Sequence, residues 1–176
     1  MTNIIEIRDL SLQYSDGHER LSHVSLNIVE HAVNVVFGPS GGGKSSLLRM
    51  LNRLNDLADV EKITGEVLYR GQNLLSPETD VIDLRRRVGM VFSRPAPLPL
   101  SVYENIAYGL RLMGEKRKSV LDERVEQALK LAVLWDEVYD RLNDPGNAIS
   151  CGQQQRLCLA RVLALEPEII MLDEPT

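Results

Sequence analysis

The sequence predicts an α/β fold: a mainly parallel sheet core, an antiparallel N-terminal β hairpin and a helical subdomain. Three observations carry that expectation. Apolar runs of strand length at 32–37, 88–92 and 168–172 alternate with helix-like stretches and read as buried strands. Ile5, Ile7, Leu10 and Leu12, then Val24, Leu26 and Ile28, are interleaved with polar residues on either side of Asp16-Gly17, the pattern of a hairpin with one solvated face. The stretch from Ser101 to Leu142 is mostly helical in its periodicity.

Taken in order, the opening strand (5–12) has one slip in its alternation, and Asp16-Gly17 turns the chain into the second strand (24–28). The apolar strand 32–37 leads into a glycine-rich bend and a helix from Ser46 to Leu51. Gly65 to Arg70 reads as a short strand, 83–87 as a helical turn, and 88–92 as a buried strand. Three prolines among residues 94–99 exclude regular structure and predict a stiff loop. A helix over 101–114 follows, with Ser101 as N-cap and Glu104 completing a capping box. Helices over about 120–134 and 153–165 and the strand 168–172 end the series. With 176 residues, the chain is expected to form one domain (1–176), its helical subdomain spanning about 95–150.

Composition narrows the function. A formal net charge of −5 disfavours non-specific nucleic-acid binding. No apolar run has membrane-spanning length, and the N-terminus lacks the basic-then-apolar pattern of a signal peptide. Two cysteines are too few for a disulfide framework, which favours a reducing, cytoplasmic setting.

Gly38-Pro39-Ser40-Gly41-Gly42-Gly43-Lys44-Ser45 matches the P-loop pattern, so the core is expected to be that of a P-loop NTPase. Glycines let the backbone curl around phosphates and aim N–H groups inward. Lys44 supplies charge to the β and γ phosphates, Ser45 offers a hydroxyl to Mg²⁺, and the helix opening near Ser46 points its positive end at the same ligand. Downstream, the strand 169–172 ends in Asp173 and Glu174. Alone, such a pair is more often a solvated terminus or a helix cap. Behind a P-loop, Asp173 is placed to hold Mg²⁺ and Glu174 to polarise an attacking water. Ser150 reads as the N-cap of the helix that follows, and nothing in the spacing requires more of it.

Together with the stretch Ser150-Cys151-Gly152-Gln153-Gln154-Gln155-Arg156, these residues resemble the ATP-binding cassette (ABC) family, specifically its phosphate-importer ATPases. Residues 51–57, 84–92, 101–109 and 134–138 carry the closer likeness, which covers nearly the whole chain. The resemblance implies ATP and Mg²⁺ as cofactors and a homodimer of nucleotide-binding domains sandwiching two ATP molecules. In such a dimer Ser150 and Gly152 touch the partner's γ-phosphate, with Gln153 close by, and Tyr14 stacks on adenine. It also implies permease subunits in the membrane, an external solute-binding protein, and a peripheral position on the cytoplasmic face of the inner membrane. Tyr103 and Tyr108 fall in the region that receives the permease.

Three departures matter. Ser93 stands where the family has a Mg²⁺-contacting glutamine, and its shorter side chain reaches the metal only through water. Cys151 replaces the first signature glycine, adding bulk where a nucleotide approaches; tolerance of so small a residue is the equal alternative. Beyond Thr176 the family continues with further core strands and a switch histidine. The expectation is therefore a C-terminally incomplete domain with an uncovered sheet edge, able to bind ATP but impaired in hydrolysis. A non-catalytic nucleotide-binding remnant or regulatory module is the alternative.

Overall fold

Strand β1 (Asn3–Tyr14) pairs antiparallel with β2 (Glu19–Val29) on one side and β3 (Val60–Tyr69) on the other, and β4 (Gln72–Asn73) closes the sheet in the order β2-β1-β3-β4. The slip in β1 is a β-bulge. Between Ile7 and Leu10, β1 carries one residue more than β2, and between Arg8 and Ser11 one more than β3. Asp9 sits there with φ +50°. Its carbonyl approaches β3 so closely that a Cβ on Gly65 (φ +92°) would lie 2.4 Å from it. A second bulge, at His23 (φ +50°), adds a residue to β2. Hydroxyls take up the N–H groups that the bulges release: Asp9 N–H donates to Ser25 Oγ and His23 N–H to Ser11 Oγ, both at 2.9 Å.

The computed structural model describes residues 2–174, which divide into two compact units at Arg85/Arg86. In the first, Ile5, Ile7, Leu10, Leu12 and Val67 of the sheet and Leu47, Met50 and Leu51 of helix α1 (Lys44–Leu51) are buried. A 3-10 turn, Leu54–Leu57, joins α1 to β3.

The apolar run 32–37 does not form the expected buried strand. It is irregular, and Val33 and Phe37 are 92% and 91% exposed. A parallel strand needs ladder partners on its flanks, and among the described residues none pairs with this run. Its hydrophobicity has nothing to bury against.

Helix α2 (Val81–Arg87) straddles the division between the units. In the second unit β5 (Val88–Val91) pairs parallel with β6 (Ile169–Leu172), the only parallel ladder among the described residues. Helices α3 (Val102–Leu112), α4 (Lys118–Leu131), α5 (Trp135–Val138) and α6 (Cys151–Leu163) enclose a core built on Ile106, Val125, Leu129, Leu134, Val138 and Leu157. The 94–100 loop is irregular, as its prolines require, and the buried Asn105 of α3 holds it. The Asn105 amide donates to the carbonyls of Leu98, Leu100 and Ser101 and accepts from Leu98 N–H. Ser101 caps α3 by accepting from Glu104 N–H, but the Glu104 carboxylate pairs with Arg111 rather than completing a capping box. An ion pair seven residues along the same helix outcompetes the backbone.

No helix among the described residues is long and apolar enough to cross a membrane. His18, His23 and His31 are exposed, as is Cys151, whereas Cys158 is buried. Pro175 and Thr176, which follow Glu174 in the acidic strand end, lie outside the described residues.

Candidate functional site

The glycine-rich bend runs directly into α1. Gly41 and Gly43 adopt left-handed backbone, φ +76° and +82°. At Gly43, the N-cap of α1, a Cβ would lie 2.3 Å from the Arg20 carbonyl, so both conformation and space demand glycine. Gly38, Pro39, Ser40, Gly41 and Gly42 are exposed, and Gly42 N–H donates to the Pro39 carbonyl at 3.2 Å. Lys44 Nζ lies back over the bend, donating to the carbonyls of Gly38 (3.1 Å) and Pro39 (3.0 Å). Ser45 and Ser46 occupy the first turn of α1, half-buried.

Beside this turn lies a cavity of about 430 Å³, lined by Tyr14, Asp16, Arg20, Ser46, Arg49 and Asp59. Tyr14 thus shares one concavity with the start of the helix behind the glycine bend. Tyr14 Oη donates to Asn55 Oδ1 at 2.9 Å. Asn55 was not singled out by sequence reasoning. The available signal is its position between Leu54 and Leu57, where a side chain short enough to be buried needs polar partners.

In the second unit Asp173 follows β6 and is 5% exposed, its N–H donating to the Val91 carbonyl at 3.0 Å. Glu174 is exposed, in left-handed backbone at φ +48°. Ser93 is exposed after β5. The adjoining Phe92 carbonyl accepts from Gln155 Nε2 at 3.0 Å, while Gln155 Oε1 is buried without a hydrogen-bond partner. The Ser45 hydroxyl and Asp173 carboxylate are hard oxygen donors. Among the described residues no group of three or more His, Cys, Asp and Glu could hold a metal. Each of these oxygens, taken singly, is of the kind Mg²⁺ accepts beside phosphate oxygens, rather than part of a preformed protein cage.

The Ser150–Arg156 stretch is tightly braced. Ser150 Oγ accepts from Gln153 N–H and Gln153 Oε1 accepts from Ser150 N–H, a complete capping box. Gln153 Nε2 donates to Glu137, and Arg156 forks onto both Glu137 oxygens at 2.7 and 3.0 Å. Those Arg156 and Gln153 bonds hold the Glu137 carboxyl below its ordinary range. Glu137, on a separate short helix, lies in the 134–138 stretch that carries the family likeness, but nothing in its spacing points to this role. Cys151 is the first residue of α6 and has helical rather than left-handed backbone, so its side chain adds bulk without backbone strain. A Cβ on Gly152 would meet nothing within 4 Å. Tyr103 is half-buried and Tyr108 exposed; burial and donation to Asp122 push the Tyr103 phenol up to about 12.

Residues 21–176 match the family model described as ABC transporter. The chain is 53% identical, over 174 residues, to the phosphate import ATP-binding protein PstB 1 of Streptococcus pyogenes serotype M12 (strain MGAS9429), covering 99% of this chain and 68% of that protein. The serotype M1 protein of the same name is 53% identical over 173 residues. Among solved structures, cbiO1 from Clostridium perfringens, part of the ABC transporter complex cbiONQ, superposes with a TM-score of 0.81 at 28% identity, covering 100% of this chain and 67% of that one. The ATP-binding cassette MJ0796, a dimer bound to ADP and Pi, superposes with a TM-score of 0.83 at 31% identity, covering 98% of this chain and 74% of that one. On the family model and on these likenesses alike, the chain belongs to the ABC transporter family.

Proposed function

We propose that this chain is the ATP-binding and ATP-hydrolysing subunit of an importer for phosphate. The observation that carries this is a glycine bend with left-handed Gly41 and Gly43 opening α1 beside the Tyr14 cavity. The name of its Streptococcus relatives supports phosphate as the solute. The domain is a single nucleotide-binding domain over 1–176 with a helical subdomain at about 95–150. Residues 38–46 hold the phosphates through their backbone N–H groups, Pro39, which has none, shaping the bend; Lys44 turns from the Gly38 and Pro39 carbonyls to the β and γ oxygens, and Tyr14 stacks on adenine. Ser45 and Asp173 hold Mg²⁺, with Ser93 acting through water. When bound, the metal neutralises charge developing on the β and γ phosphoryl oxygens. Glu174 accepts a proton from the attacking water.

The chain works as a homodimer, presenting Ser150, Gly152 and Gln153 to the partner's ATP, and it drives permease subunits from the cytoplasmic face of the membrane. A solute-binding protein delivers phosphate to the permease. Ser93 and Cys151 slow hydrolysis without abolishing ATP binding. The exposed Cys151 thiol at the head of α6 also favours a second reading, a nucleotide-binding module without turnover.

Calorimetry with a non-hydrolysable ATP analogue and Mg²⁺, alongside phosphate-release assays, tests both. Binding that is lost in Lys44→Ala, with slow turnover that Ser93→Gln raises and Glu174→Gln removes, supports the ATPase. Binding without turnover, indifferent to Glu174→Gln, supports the second reading. No analogue uptake by a folded sample overturns both.

A further inference from the structure

Tyr14 and the first turn of α1 are joined through one buried amide. Asn55 is 1% exposed; its Oδ1 accepts from Tyr14 Oη at 2.9 Å and its Nδ2 donates to the Ser46 carbonyl at 3.1 Å. Tyr14 and Ser46 both line the cavity beside the glycine bend. They lie on different elements, 41 and 9 residues from Asn55 in sequence. The turn that carries the amide is itself fixed. Arg53 Nε donates to Asp56 at 2.9 Å and its Nη1 to the Ser76 carbonyl at 3.0 Å, while Arg85 Nη2 donates to the Arg53 carbonyl at 2.8 Å. A buried amide needs partners wherever it sits. Here both are members of one concavity, and the support behind them is rigid.

We infer that Asn55 is a positioning residue for the nucleobase. By holding the Tyr14 hydroxyl and the Ser46 carbonyl at once, it sets the ring at a fixed offset from the phosphate-binding turn. The site thereby selects a triphosphate that carries a base at that offset over a bare polyphosphate. This rests on the nucleotide reading proposed above. A ring released from Asn55 loses its set plane, because rotation about the terminal bonds of a tyrosine is broad. The phosphate-binding turn keeps its glycines and its helix.

The test is calorimetric titration of the chain with Mg-ATP and with Mg-tripolyphosphate, in wild type, Tyr14→Phe, Asn55→Leu and the double variant. Tyr14→Phe removes only the hydroxyl and leaves the Asn55–Ser46 bond in place, so it carries the test even if Asn55→Leu fails to fold. Each single variant should weaken Mg-ATP by about five- to tenfold, the size of one hydrogen bond, with tripolyphosphate unchanged. The double variant should be no worse than the weaker single, because both remove the same contact. Equal losses of ATP and tripolyphosphate, or a silent Tyr14→Phe, overturn the inference. A wild type that binds tripolyphosphate as tightly as ATP overturns the nucleotide reading itself, whereas an undiminished preference for ATP in Tyr14→Phe removes only the role of Asn55.

Discussion

Gly89→Ala tests how tightly β5 is seated on α6. Gly89 is buried at the centre of the parallel ladder, opposite Ile170. An added Cβ would lie 2.4 Å from Val162 Cγ1 and 3.5 Å from Pro167 Cγ. Carbon atoms in contact sit about 3.5–4.0 Å apart, so the shortfall against Val162 is roughly 1 to 1.5 Å. A β-branched side chain on a helix has essentially one rotamer and cannot swing away. The strand or the helix has to move instead. Overpacking of this kind costs about 1–3 kcal/mol, and the stiffer unfolded chain of alanine returns about 0.4–1 kcal/mol. The net expectation is a loss of about 1–2 kcal/mol. Urea unfolding followed through Trp135, the single tryptophan, which is half-buried against the helical core, reads this as a lower midpoint at unchanged slope. Val162→Ala removes the obstructing methyl, so in that background Gly89→Ala should be neutral or stabilising. The same loss in both backgrounds, or no loss in either, would refute the steric account.

Asn105→Ala should cost about 3 kcal/mol or more, because it strips partners from several carbonyls around a fully buried site. Limited proteolysis should then cut first within 94–100. Val133 holds φ +52° while 77% exposed, and left-handed backbone is costly for a β-branched residue, so Val133→Asn should stabilise by about 1 kcal/mol in the same urea assay. The Asp9 carboxylate, 2.8 Å from His23 Nδ1, raises the His23 pKa by hydrogen bonding and by charge. The pair's small surface contribution to stability is therefore full below the ordinary histidine value of 6.5 and fades as pH climbs through the raised one. An NMR titration should show the His23 value raised above 6.5 in wild type and lowered in Asp9→Asn.

What could be read in advance was whatever depends on neighbours in sequence. The break in alternation between Ile7 and Leu10, the Asp16-Gly17 turn, the proline loop and the helical spacing of Leu121, Val125, Ala128 and Leu129 are local patterns, and each has its counterpart in the fold. The run 32–37 has the composition of a core strand, but strandhood depends on a partner, and composition does not report one. Ser101 and Ser150 look alike as N-caps. Only Ser150 has its capping box, because Arg111 draws Glu104 away while nothing competes for the Gln153 oxygen. Asn55, Asn105 and Glu137 resemble ordinary surface residues in the sequence. Their importance comes from distant partners such as Tyr14, Leu98 and Arg156.

The surplus residue at Asp9 settles which side of the sheet Tyr14 emerges on. Ile5 and Ile7 point inward on odd numbers; past the bulge, Leu10 and Leu12 point inward on even ones, and Tyr14 keeps step with them. A β1 of the same sequence paired without that bulge would keep odd-numbered residues inward and present Gln13 where the aromatic now stands. It would turn the phenol toward water and out of reach of the helix that follows the glycines. Parity, not proximity in sequence, delivers the tyrosine.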